Sequence, residues 1–198
     1  MIIASNTRPA LIPQAAPVAI RAERASDVVA REALLESCFG EDRDGRTCQR
    51  LRDGRAPAEG LALSAVARGR LVGTLRLWHV SAAGIPALAL GPLAVDSAYR
   101  KAGIGAALVT RALATAGARS HKAVLLLGDA SYYERFGFSV AKTSNLLLPG
   151  PFERERLLAL ELSEGALDGA WGMIIPTGAA ARQPARVGKA GRLASQVA

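Results

Sequence analysis

The stretch Leu90-Gly-Pro-Leu-Ala-Val-Asp-Ser-Ala-Tyr-Arg-Lys-Ala-Gly-Ile-Gly105 constrains this chain more than any other. An apolar run reads as a buried strand. A short polar loop follows and ends in Arg100-x-x-Gly103-x-Gly105, where an Ala/Leu-rich helical segment begins. A strand that feeds a glycine-bearing loop and then a helix N-terminus aims several backbone N–H groups one way, and the helix dipole adds partial positive charge. The expectation is a phosphorylated ligand at this loop. Two common phosphate loops are excluded. No Gly-Lys-Ser/Thr follows, so it is not a P-loop, and Leu108 stands where a dinucleotide fingerprint requires Gly or Ala.

Gly91-Pro92 interrupts an otherwise good strand just upstream. Proline cannot donate to a ladder and glycine often marks a bulge, so pairing should break there on one side. The sheet would then open beside the loop and leave backbone groups of Leu93, Ala94 and Val95 available to a ligand. The competing reading is an edge strand with a kink.

The flanking pattern predicts an α+β arrangement. A strand is expected over 16–21, and Ser26-Asp27 reads as the cap of a helix reaching Phe39, with Val28, Ala30, Leu34, Leu35 and Cys38 on its apolar face. A short helix is expected around 47–53. Strands are expected over 61–67, 71–80 and 85–95, joined by tight turns at Arg68-Gly69-Arg70 and Ala82-Ala83-Gly84, which makes an antiparallel meander. A helix over 104–118 then leads to an all-apolar strand over 123–127, suited to a parallel pairing buried on both faces. A short helix over 131–136 and strands near 138–141, 157–162 and 171–175 complete the order. The expected whole is one mixed, largely antiparallel sheet of six or seven strands with about four helices. Residues 1–16 read as a loose arm, 17–176 as the domain, and 177–198 as a basic tail without periodicity.

Composition narrows the function classes. The formal charge is +8, but Arg182, Arg186, Lys189 and Arg192 carry four of those charges in the tail, which holds no acid. A second excess lies between Ser97 and Gly128, around the candidate loop. A polyanionic small ligand accounts for it as well as a nucleic acid, and the low aromatic content argues against a base-stacking surface. No apolar stretch nears the roughly 20 residues that span a bilayer. The N-terminus lacks the basic-then-apolar order of a signal peptide, so the expected location is cytoplasmic. Cys38 and Cys48 form no Cys-x-x-Cys, and His79 and His121 are distant in sequence, so no metal site is expected.

Val95-Asp-x-x-Tyr-Arg100-x-x-Gly103-x-Gly105-x-x-Leu108 resembles the acetyl-CoA signature, Arg/Gln-x-x-Gly-x-Gly/Ala, of the GNAT superfamily of N-acetyltransferases. Tyr132-Tyr133-Glu-Arg-Phe136-Gly137-Phe138, about 30 residues downstream, resembles the second motif of that family. The run Leu90-Gly-Pro-Leu-Ala-Val-Asp, with Gly128-Asp and the Tyr-Tyr segment, is similar to a bacterial branch of predicted acetyltransferases. The resemblance spans roughly residues 18–175. It implies a GNAT fold with a splay between the fourth and fifth strands and acetyl-CoA as the acetyl donor. It implies a pantetheine arm against Leu93, Ala94 and Val95, and a pyrophosphate on Arg100, Lys101, Ala102, Gly103, Ile104, Gly105 and Ala106. It also implies Tyr133, four residues before Gly137, as the general acid. The acceptor is then an amine, on a small molecule or a protein, and a homodimer is left open.

Acetyl transfer from a thioester to an amine needs alignment, a donor for the oxyanion, a proton for the departing thiolate and a base for the amine. A phenol suits the thiolate, its pKa being near 10, and Tyr132 reads as the core residue beside it. The strands over 61–67, 71–78 and 85–95 carry no carboxylate. Candidate bases therefore lie elsewhere: Glu36, Glu41, Asp42 and Asp44, or His79 at a strand end. Asp96 reads as a turn-former and Asp129 as a helix cap. A non-catalytic CoA-binding module is the alternative. The expected acceptor loops are 39–60 and 145–155, where Arg43, Arg46, Arg50, Arg52 and Arg55 hint at an anionic acceptor.

Overall fold

The computed structural model describes residues 17–181; the expected arm (1–16) and most of the expected tail (182–198) lie outside them. One sheet organises the chain. Strand β1 (Val18–Ala22) pairs antiparallel with β2 (Ala62–Ala67), which pairs with the long β3 (Arg70–Ala82) and through it with β4 (Ile85–Val95). Type I′ geometry at the first expected turn follows from Arg68 (φ 49°) and Gly69 (φ 75°), and it matches the right-handed twist of the flanking strands. After the helix α2 (Ile104–Ala118), β5 (Ala123–Leu127) returns parallel to β4, and β7 (Leu157–Glu161) pairs antiparallel with β5. The two-residue β6 (Leu146–Leu147) and β8 (Gly172–Pro176) extend the sheet beside the far end of β3. The fold is mixed α/β, as expected, with eight strands among the described residues.

Two α-helices longer than a turn cover the sheet: α1 (Val28–Phe39) and α2. Helix α2 buries Ile104, Leu108, Val109, Ala112 and Ala116. It lies close because Gly73 of β3 has no side chain: a Cβ there would stand 3.1 Å from Ile104 Cγ2 and 3.2 Å from Leu108 Cδ1. On the other side Leu51, Val80, Leu125, Leu146, Leu157 and Ile174 form a second apolar cluster.

Several local expectations change. Asp27 does not cap α1 with its side chain. It closes the preceding 3-10 turn instead, accepting from the Arg24 amide. Its carboxylate also takes a two-point bond from Arg21 at 2.6 and 2.9 Å and a bond from Ser64 at 2.9 Å, which ties β1, β2 and the start of α1 together. The inward face of α1 is Arg31 and Leu35, while Val29 is 82% exposed. Arg31 is buried because Glu23 accepts from it and from Arg76. The segment expected as a helix over 47–53 is a 3-10 turn, Thr47–Leu51. The expected strand over 138–141 reduces to a single bridge, Ser139 to Ala159. Thr177–Ala181, assigned above to the tail, are bonded into the domain: the amides of Thr177 and Gly178 donate to His79 O, and that of Ala181 to Gly54 O.

Candidate active site

The split in the sheet forms where Gly91-Pro92 was expected to break it. Leu75 pairs with Leu93 and Leu77 with Leu90, so Gly91 and Pro92 together face Arg76 alone, a β-bulge in β4. The Trp78 indole N–H donates to the Gly91 carbonyl at 2.6 Å and fixes the bulge. On the opposite edge, β5 pairs only with Leu88 and Ala89 of β4. Among the described residues that edge has no strand partner from Leu90 to Val95, so Leu93, Ala94 and Val95 lie along an open edge.

The loop after β4 is built to present amides. Asp96 folds it, accepting from the Ala98 amide at 2.9 Å and pairing with Arg70. Lys101 and Gly103 both take left-handed backbone, at φ 66° and 76°. Helix α2 starts without a side-chain cap, because its N-cap is Gly103. Its first internal bond is Ala107 N to Gly103 O. The amides of Ile104, Gly105 and Ala106 therefore have no partner in the helix, as in any uncapped first turn. Arg100, Lys101, Ala102 and Gly103 are exposed around them. This arrangement can hold an anion on backbone N–H groups.

Tyr132 takes a different place from the core position expected for it, while Tyr133 lies on the cleft. Helix α3 (Ala130–Tyr133) is capped by Asp129, whose side chain accepts from the Ser131 amide, as expected. The Tyr132 hydroxyl is not in the core; it lies where a Cβ on Gly105 would be 2.8 Å away, beside the first turn of α2. Tyr133 packs edge-on against Phe138 and reaches the cleft. Burial, with a smaller contribution from Tyr132, pushes its phenol up to about 12.

A cleft of about 970 Å³ brings the β4 bulge and Leu93 together with Tyr133; Ala94, Val95 and residues 100–106 are not in its lining. Leu90, Gly91, Pro92 and Leu93 form one wall and Gly128, Asp129 and Tyr133 another. The remaining wall comes from Phe39, Arg43–Gln49 and Arg52 and from Pro151–Glu153 and Arg156, within or beside the loops expected for the acceptor. Thr47 Oγ1 donates to Pro151 O and Arg50 to Pro149 O, which clamps the two segments together. Of the expected bases, Asp44 lines the cleft, Glu36 does not, and the side chains of Glu41 and Asp42 lie outside the described set. His79 is away from it; its ring meets His121 with centroids 5.4 Å apart. Sequence reasoning missed the cleft residues Glu32, Arg76, Trp78 and Arg156, and reached Glu153 only as part of the expected acceptor loop 145–155. Glu32 is bound by Arg31 and Arg43, and those bonds outweigh its partial burial to hold its carboxyl below the usual range. Among the described residues no group of His, Cys, Asp and Glu could hold a metal ion, and no helix is long and apolar enough to cross a membrane.

Residues 59–140 match the acetyltransferase (GNAT) domain family. The chain is 29% identical over 157 residues to a protein of Escherichia coli K12 named uncharacterized N-acetyltransferase YhbS, covering 78% of this chain and 93% of that protein. The crystal structure of YhbS in complex with CoA superposes with a TM-score of 0.71 over 87% of this chain and 94% of that one. A GNAT acetyltransferase of Brucella melitensis, solved with acetyl-CoA, shares 26% identity at a TM-score of 0.55, over 78% of this chain and all of that one. The family match, the sequence relative and the shared fold agree: the chain belongs to the GNAT superfamily of acetyltransferases.

Proposed function

We propose that this protein is an N-acetyltransferase that moves the acetyl group of acetyl-CoA to an amine by direct attack in a ternary complex. The observation that carries the reading is the placing of the open β4 edge beside the uncapped start of α2, where Leu93 Cδ2 lies 3.9 Å from the position a Cβ on Gly105 would take, with Leu93 and Tyr133 lining one cleft. The similar structures that hold CoA or acetyl-CoA support the donor.

In this reading the amides of Lys101–Ala106 take the pyrophosphate, with Arg100 and Lys101 adding charge around it. The backbone of Leu93, Ala94 and Val95 pairs with the pantetheine arm. The amine nitrogen attacks the thioester carbonyl carbon. An N–H of the open edge at Leu93 or Ala94 takes the oxyanion. The carbon–sulfur bond breaks, and the Tyr133 phenol gives its proton to the leaving thiolate. Asp129 is the cleft carboxylate nearest Tyr133 in the chain. One of its oxygens is engaged by Ser131 and the other is available to take the amine proton, directly or through water.

The non-catalytic alternative rests on the lack of acids on the cleft strands. Carboxylates reach the cleft from loops and helix ends instead, at Glu32, Asp44, Asp129 and Glu153, so that motive falls away. The test is thermal denaturation with acetyl-CoA, CoA and ATP, followed by thiol release with a panel of amines. Acetyl-CoA and CoA are expected to raise the melting temperature well beyond ATP, and some amine to release CoA. No shift with either CoA species would overturn the reading.

A further inference from the structure

Five arginines line the cleft, and four of them are occupied by the fold. Arg43 is bound to Glu32, Arg76 to Glu23, Arg46 to the Phe39 carbonyl, and Arg156 lies 3.8 Å from Glu153. Arg52 differs. Its Nε donates to Gln49 Oε1 at 2.6 Å, and among the described residues no carboxylate lies within ion-pair distance of it. Among the described residues its two terminal nitrogens have no acceptor. No side-chain nitrogen sealed from solvent lacks a partner among those residues, so these nitrogens reach solvent, and Arg52 lines the cleft.

The surroundings make that guanidinium costly to leave alone. Arg52 also borders a small apolar cavity of about 20 Å³ in the fork between β4 and β5, lined by Leu51, Leu90, Leu125 and Ile174. Burial there draws the Arg52 guanidinium below its ordinary pKa. Asp53 and Asp44 offset that cost only through space, and neither forms an ion pair with the guanidinium. The planar fork is matched to two-oxygen anions, which it binds at two points. Other arginines of the same run have structural roles: Arg50 holds Pro149 O and Arg55 holds Gly178 O. The arginine run in the sequence therefore resolves into clamps and one unengaged fork.

We infer that the acceptor amine carries an anionic group (carboxylate, phosphate or sulfonate) and that Arg52 receives it, while the amine points across the cleft toward Leu93 and Tyr133. The amine half of this statement rests on the acetyltransferase reading; the anion half does not.

Matched probes test it on the full chain: β-alanine against β-alaninamide, and O-phosphoethanolamine against ethanolamine. Two readouts are taken for wild type, Arg52→Gln and Arg52→Lys: kcat/KM with acetyl-CoA, and calorimetric binding in the presence of CoA. The melting shift with acetyl-CoA reports that each variant is folded. Wild type is expected to favour an anionic member of a pair by at least about tenfold. Arg52→Gln is expected to reduce that preference by about ten- to a hundredfold, through KM. Arg52→Lys, which keeps the charge and loses the fork, falls between. Equal use of charged and neutral probes, a preference that survives Arg52→Gln, or no binding of either anionic probe would overturn the inference. Arg52-dependent binding without acetylation of any probe would uphold the anion site and count against the transferase reading instead.

Discussion

A Cβ placed on Gly128 would stand 2.5 Å from Cε2 and 2.9 Å from Cδ2 of Tyr133. The ring thus occupies the volume that any other residue at 128 would need. Because both residues line the cleft, Gly128 sets where the phenol points. Gly128→Ala is expected to push the ring aside and lower kcat by about ten- to a hundredfold, in the range of a lost positioned acid. The melting shift with acetyl-CoA should be retained. Steady-state kinetics beside that shift separate a moved acid from a damaged donor site.

Tyr133 also makes a pH prediction. Burial disfavours the phenolate and raises the phenol to about 12, so the acid stays protonated, and able to donate, through pH 10. The alkaline limb of wild-type kcat should therefore show no loss from this group below about pH 11. Tyr133→Phe should lower kcat by about a hundredfold. Unchanged turnover in Tyr133→Phe across pH 6–10 would remove Tyr133 as the acid.

The start of α2 is tested at two glycines. Gly103 has φ 76°, and a side chain there costs about 1–2 kcal/mol of left-handed strain. Gly103→Val is expected to shift the loop and raise the KM for acetyl-CoA about tenfold. At Gly105 a Cβ would meet the Tyr132 hydroxyl at 2.8 Å, so Gly105→Ala should also weaken acetyl-CoA. Tyr132→Phe should recover part of that loss, and the non-additivity of the pair is the measurable quantity.

Asp27 governs acid stability. The Arg21 bond, aided by Ser64 and the Arg24 amide, holds its carboxyl far below the usual carboxylate range despite burial. A depressed folded pKa contributes stability that is full above the unfolded value near 4 and is lost as pH falls below it. Asp27→Asn is expected to cost about 2–4 kcal/mol in urea unfolding at pH 7. The gap between variant and wild type should narrow below about pH 4, and a gap that is constant with pH would contradict this assignment.

The element order was legible because the apolar periods are clean. The strands at 62–67, 70–82 and 85–95 alternate or run apolar between glycine turns, and 123–127 is wholly apolar. The bulge was legible because Gly91-Pro92 cannot sit in a regular ladder. The inner face of α1 was not, because the buried position is Arg31, and its counter-ion Glu23 lies outside the helix. The strand expected over 138–141 shrinks to one bridge because only Phe138 reaches the core and the chain turns at Val140, whose carbonyl accepts from the Thr143 amide. The roles of the two tyrosines depend on which glycine each ring abuts, 105 or 128, and sequence spacing does not carry that contact. Arg52 looked like its arginine neighbours in the sequence. Only the side-chain partners separate the clamps from the unengaged fork.

The central claim is that acetyl-CoA lies along the open edge of β4 with its pyrophosphate on the first turn of α2. A crystal structure of the acetyl-CoA complex tests this most directly. Phosphate oxygens are expected within hydrogen-bond distance of the amides between Lys101 and Ala106. The thioester is expected beside Leu93 and Ala94, with its sulfur facing the Tyr133 hydroxyl. Acetyl-CoA bound elsewhere, or with its sulfur turned away from Tyr133, would contradict that claim.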